Sequence, residues 1–249
     1  MSEKGKKILK RIGIIALILI AVYVVLHFIV DMYTRDYYGA NDTAYEYLTN
    51  TPENIKVTYT KDRIVFMPEN PVAGIIFYQG ALVEYTAYTP IMEKCAEEGI
   101  ATVILHMSHN MAVLSPNAAD GIQDEYPEIT TWYMAGHSLG GAMADSYLSR
   151  HQEEYTGLIL LASYPPKELD MTQLSVLSVY GTNDGVLNMD TYKKTIAENT
   201  PGATELVIDG GIHSYFGAYG PQQDDGVPEI SWQEQTDMTV EAIVEFITE

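Results

Sequence analysis

The sequence predicts an α/β domain with a mostly parallel central sheet flanked by helices, preceded by one apolar helix of membrane length. Three observations carry this. Short apolar runs alternate with stretches of helical period from residue 73 to the end. Two alternating runs, close together, open the domain, and an uncharged run stands before everything else.

Residues 12–30, IGIIALILIAVYVVLHFIV, form that uncharged run and are long enough to cross a hydrocarbon core as a helix. Lys4, Lys6, Lys7, Lys10 and Arg11 precede it, and the positive-inside rule puts the tail 1–11 in the cytoplasm and the remainder outside. This predicts a single-pass protein of the cell membrane with an extracytoplasmic domain. A cleaved signal peptide is the rival reading, but its apolar core is shorter and no clear A-x-A site follows the run. Residues 31–54, polar and rich in tyrosine, read as a juxtamembrane segment with one short helix, and 55–249 as the folded domain.

Within that domain IKVTYT and RIVFMP alternate as strands and are close enough to form an antiparallel hairpin at the sheet edge. AGIIFYQG (73–80) is a short apolar run ending in glycine, which reads as a buried strand. Residues 88–98 read as a helix closed by Gly99. ATVILH (101–106) is the next strand, 117–125 a short helix, TWYMAG (131–136) a strand and 139–150 a helix. GLILLAS (157–163) and LSVLSVYG (174–181) are strands, 189–199 a helix, ATELVID (203–209) the last strand and 232–248 the last helix. The connection from Tyr164 to Gln173 is too short for a large lid.

The formal charge of −20 argues against nucleic acid, whose phosphates need a basic patch. With the N-terminal basic cluster and Glu3 set aside, the remainder carries about −24. The single cysteine, Cys95, lies in an amphipathic helical pattern and reads as a small core residue; it forms no internal disulfide. No cluster of metal-ligand type is evident, and no cofactor is expected.

The chemistry concentrates at Gly136-His137-Ser138-Leu139-Gly140. This fits G-x-S-x-G, a short pattern whose weight depends on its context. Ser138 follows a predicted buried strand and opens a predicted helix, which is what a nucleophile elbow requires. The sharp turn demands small neighbours, and Gly136, Gly140, Gly141 and Ala142 supply them. A serine hydroxyl needs a base, and the base an orienting acid. Asp184 stands in the turn after one strand and His213 in the glycine-rich loop after the last, giving the order Ser, Asp, His. All three fall beyond the carboxyl ends of predicted parallel strands, where open α/β sheets build their sites. An oxyanion hole needs two backbone donors. One is the amide of Leu139; the other is Ala81, with Leu82 the alternative, in the turn after AGIIFYQG.

FYQGALVEY, AGHSLGGAMA, YGTNDGV and GGIHSYFGAYGP together resemble the α/β-hydrolase superfamily, within it the small lidless branch of dienelactone-hydrolase-like proteins. The resemblance covers about residues 55–249. It implies the α/β-hydrolase fold and cleavage of an ester, thioester or related acyl bond through an acyl-enzyme, without a cofactor. Two departures stand out. Ser138 occupies the elbow where dienelactone hydrolases carry cysteine, and Gln79-Gly80 replaces the usual His-Gly at the oxyanion turn. Superfamily members also include amidases and acyltransferases, so transfer to envelope glycans or lipids is an alternative, and a non-catalytic binding module on the same fold is another. The expected partners are a small-molecule or envelope acyl substrate and the membrane.

Rival residues carry bland readings. Asp190 sits at a helix start, Asp170 lies outside a post-strand turn and Asp209 ends a strand. His27 lies in the apolar run, His137 points away from Ser138, and His151 ends a helix. His106 and His109 follow a strand and stand where they would line a pocket. Tyr85, Tyr88, Tyr215 and Tyr219 are placed to flank the site.

Overall fold

The computed structural model describes residues 2–248 and divides into two units between Asp36 and Tyr37. In the first unit, helix α1 spans Glu3–Tyr33. Ser2 caps it, its hydroxyl accepting the Gly5 amide at 3.2 Å, and none of its residues is buried. At 1.5 Å per residue its 31 residues reach roughly 46 Å, beyond the ~30 Å of a hydrocarbon core. It is a candidate membrane span by length and composition.

The second unit begins at Tyr37, well before the expected boundary at residue 55. Residues 37–54 pack as part of the domain. Tyr38 pairs with Val83 in an isolated parallel bridge, and helix α2 (Asp42–Thr49) follows, capped by the Asn41 side chain on the Ala44 amide at 3.3 Å. Ala44 is fully buried, and its carbonyl accepts the Thr89 hydroxyl at 2.6 Å. Polar composition concealed a segment that docks through backbone bonds and one small side chain.

Eight strands form one sheet: β1 (Ile55–Tyr59), β2 (Arg63–Pro68), β3 (Ala73–Tyr78), β4 (Ile100–Leu105), β5 (Trp132–His137), β6 (Gly157–Leu161), β7 (Ser175–Gly181) and β8 (Thr204–Ile208). Their order is β1-β2-β4-β3-β5-β6-β7-β8. β1 and β2 form the antiparallel edge hairpin, β2 meets β4 antiparallel, and every later pairing is parallel. The helices α3 (Thr89–Glu97), α4 (Leu139–Leu148), α5 (Met189–Asn199) and α6 (Trp232–Thr248) cover the two faces.

Strand periodicity sorts the core. Ile75 and Phe77 of β3 face Ile91 and Met92 of α3 and Ile243 of α6. Ile76 and Tyr78 face the other way, toward Tyr147 and Leu148 of α4 and Tyr192 of α5. β3, β4 and β5 are buried along their whole length, as parallel strands covered on both faces must be. Each such buried Ile or Phe contributes about 1.5–3 kcal/mol of transfer free energy. The expected helix at 117–125 is instead a run of turns ending in a short 3-10 stretch, Gln123–Glu125. Gly121, at φ 75°, adopts a backbone that an α-helix does not accept.

This order sets the carboxyl ends of β3, β5, β6, β7 and β8 side by side, and the loops leaving those ends carry the chemistry.

Candidate active site

Ser138 sits between β5 and α4 with φ 54° and ψ −126°. A non-glycine residue there costs on the order of 1–3 kcal/mol, held in place by the surrounding packing. Its amide donates to Leu161 O at 2.9 Å, and its carbonyl accepts the Ser163 hydroxyl at 2.6 Å. The small neighbours follow from sterics. A Cβ on Gly140 would collide with the backbone carbonyls of Tyr78 and Gln79, and one on Gly136 would lie 2.6 Å from the Gly140 carbonyl carbon. The start of α4 is thus pressed against the turn after β3.

His213 and Asp184 meet from separate loops. His213 Nδ1 lies 2.8 Å from Asp184 Oδ2, with both side chains 1% exposed. A carboxylate only accepts, so Nδ1 carries the proton and Nε2 presents its lone pair. The other oxygen of Asp184, Oδ1, accepts the amides of Val186 and Leu187, each at 2.8 Å, which fixes the carboxylate within its own turn. His213 Nε2 is buried and, among the described residues, has no hydrogen-bond partner. Ser138, Leu139 and His213 line one cavity of about 230 Å³, with Ala142, Ala162, Ser163, Tyr164, Val186, Leu187 and Asn188. Among the described residues lining it there is one imidazole and no carboxylate or thiol, too few donors for a metal ligand set.

At the turn after β3 the two oxyanion candidates differ. The Leu82 amide, at φ 57°, donates to Asn110 O at 2.8 Å and is committed. Among the described residues the Ala81 amide has no acceptor. Ala81 does not line the 230 Å³ cavity. Gln79 shows why histidine is dispensable here. Its side-chain nitrogen donates to Val83 O at 2.6 Å and Asn110 Oδ1 at 2.9 Å, and its oxygen accepts the Met107 amide at 3.0 Å. Behind it, the Tyr88 hydroxyl accepts the Gly80 amide at 2.9 Å and lies 2.9 Å from His137 Nδ1. Burial pushes the Tyr88 phenol up and the His137 imidazole well below the ordinary histidine range, with His213 adding to the latter. Both therefore stay neutral.

The rivals lie elsewhere. His106 Nδ1 sits 2.7 Å from Lys61 O with its ring on Tyr85, His151 stacks on Tyr147, and neither they nor His109 line the cavity. Asp209 accepts the Thr182 hydroxyl and Asp170 that of Thr172. Cys95 is a buried thiol pushed up to about 12 by burial.

Sequence reasoning missed Asp225. One of its oxygens accepts the amides of His213 (3.1 Å), Gly226 (2.8 Å) and Gly185 (3.4 Å), and the other that of Ser214 (2.7 Å). Burial opposes its ionisation, yet these bonds hold it below the ordinary carboxylate value. It ties the loop of Asp184 to the loop of His213. No motif announces it, because its partners lie in other loops.

A sequence profile of the Alpha/beta hydrolase family matches residues 74–237. The chain belongs to the alpha/beta hydrolase family. Solved structures of this fold align over most of the chain. Bacterial heroin esterase matches at TM-score 0.59 and 10% identity, over 79% of this chain and 86% of that one. Est1E from Butyrivibrio proteoclasticus, with ferulic acid bound, matches at 0.55 and 17%, over 79% and 98%. Dienelactone hydrolase from Anabaena variabilis matches at 0.56 and 10%, over 78% and 99%. No curated protein sequence matches the chain. At these identities the likeness establishes the fold.

Proposed function

We propose that this member of the alpha/beta hydrolase family is a membrane-anchored serine hydrolase that cleaves an ester or related acyl bond. The observation that carries the reading is the buried Asp184–His213 pair, whose unpartnered Nε2 shares a cavity with the strained Ser138. In this reading Nε2 takes the Ser138 proton as the hydroxyl oxygen attacks the acyl carbon. Asp184 keeps the imidazole in the required tautomer and offsets the positive charge that forms. The tetrahedral oxyanion is received by the amides of Leu139, at the start of α4, and Ala81; the commitment of the Leu82 amide to Asn110 favours Ala81. His213 then protonates the leaving alcohol, and water repeats the sequence on the acyl-enzyme.

α1 supplies the anchor. Its uncharged run 12–30 and the basic cluster before it support an N-terminus in the cytoplasm and a domain outside, which protease accessibility in intact cells tests.

The chemistry is tested with p-nitrophenyl acetate and a fluorophosphonate probe. Ser138→Ala is expected to lower kcat by roughly 10⁴-fold or more with folding retained, and to abolish labelling. Unchanged turnover, or a label on another residue, overturns the assignment.

A further inference from the structure

We propose that the substrate is a short, neutral acyl ester carried by a membrane amphiphile, met at the bilayer surface. This rests on the hydrolase and anchor readings above and adds where the ester comes from.

The first observation is the point at which the chain leaves the domain toward α1. Tyr38 is bonded to both loops that frame the site. Its amide donates to Leu82 O at 2.7 Å, and its carbonyl accepts the Glu84 amide at 2.9 Å, immediately after the Gly80-Ala81 turn. Its hydroxyl accepts the Gln223 amide at 3.1 Å, two residues from Asp225, and its ring lies 5.7 Å from that of Tyr219. The tether is therefore stitched to the rim of the site and not to the far ends of the strands.

The second observation is the length of that tether. Only residues 34–37 lie between Tyr33, the last residue of α1, and Tyr38. Fully extended chain gains at most about 3.6 Å per residue, so Tyr38 stays within roughly 18 Å of Tyr33 whatever the orientation of the domain. A domain of this size is roughly 45 Å across. A tether fixed at the opposite pole would hold the rim far from the lipid; this one keeps it close.

The third observation is the cavity. Its 230 Å³ falls below the roughly 300–1,000 Å³ of clefts that take drug-sized ligands and above the ~150 Å³ that takes benzene. A short acyl group fits and a long acyl chain does not, so the greasy part of the substrate stays in the bilayer. No lysine or arginine lines the cavity, and the chain beyond the basic cluster carries about −24, which disfavours anionic carriers.

The test uses the full chain in phosphatidylcholine vesicles holding an ether-linked hexadecyl glycerol with one acetyl ester, read as acetate release. p-Nitrophenyl acetate in the same sample reports the soluble reaction. An insertion of about twenty Gly and Ser residues between Asp36 and Tyr37 lengthens the tether. Effective concentration falls as roughly the −3/2 power of length, so the vesicle-to-soluble ratio is expected to fall about tenfold. The ratio cancels any loss of folded protein. An unchanged ratio overturns the proposal. So does absence of acetate release from vesicles by the unmodified chain while p-nitrophenyl acetate is turned over, with the hydrolase reading intact. Equal rates on the dodecanoyl ester of the same glycerol overturn the short-acyl part. Loss of p-nitrophenyl acetate turnover by the unmodified chain instead removes the hydrolase reading.

Discussion

Behind the elbow that carries Ser138 lies Asp145, and behind the loop that carries His213 lies Asp225. Asp145 is fully buried and Asp225 partly so, and they are driven in opposite directions. Asp145, on α4, has one oxygen on the Lys167 amide at 2.8 Å and the other without a partner, and burial pushes it up to about 7. Asp225 collects four amides, and these outweigh its burial and hold it below the ordinary carboxylate range. Asp145 is fully buried with one donor and Asp225 only partly buried with four, and both differences favour charge on Asp225. The two halves of the site differ in the same way. The elbow is held by sterics, glycine against backbone, and the His213 loop by an anion gathering amides from separate segments.

The comparison is broken most severely at the elbow. Gly140→Val drives a side chain into the carbonyls of Tyr78 and Gln79, neither of which can step aside without moving β3. The expected loss is about 3 kcal/mol or more of unfolding free energy in urea, with activity lost alongside. Asp225→Ala strikes the other half differently. It strands amides of the two loops, at about 1–3 kcal/mol of stability. Because a shift of ~1 Å in a reacting group can cost 10²-fold, kcat for p-nitrophenyl acetate is expected to fall by roughly that factor with KM little changed. A kcat that survives this change would mean that the His213 loop does not depend on the anion.

The two carboxylates also respond to pH in opposite directions. Asp145 is raised above its unfolded value, so its carboxyl favours the fold below about pH 4, and that advantage is lost as pH rises toward 7. Asp145→Asn, which still offers an oxygen to the Lys167 amide, is expected to gain on the order of 2 kcal/mol at pH 8 and little at pH 4. Asp225 is depressed, so its contribution is present above 3.8 and fades as pH falls through its folded value. Asp225→Asn should therefore cost stability at pH 7 and progressively less in more acidic buffer, the opposite slope, read by thermal melts across the pH range.

What could be read from the sequence follows the same division. The elbow, β3 through β8 and the placement of Asp184 and His213 after β7 and β8 were legible because each depends on neighbours in the chain: alternation, a glycine, a strand followed by a helix. Helix α5 begins and ends where the sequence places it, and the structure adds its cap, the Asn188 side chain on the Thr191 amide. Contacts between distant segments were not legible. Nothing local to Tyr38 announces its bridge to Val83, so 31–54 read as a juxtamembrane segment with one short helix and not as part of the domain. Asp225 lies in a run without regular structure, and its partners are 11, 12 and 40 residues away apart from its own neighbour. The bond that commits the Leu82 amide to the Asn110 carbonyl is another such contact, which no motif mentions.

Gln79 carries one last implication. An amide cannot titrate, so the brace it forms with Val83, Met107 and Asn110 keeps its shape in acid, where a histidine in its place would gain a proton. His137, the nearest imidazole behind that brace, is held uncharged by its burial. Protonation of this brace should therefore add nothing to the acidic limb of a rate profile.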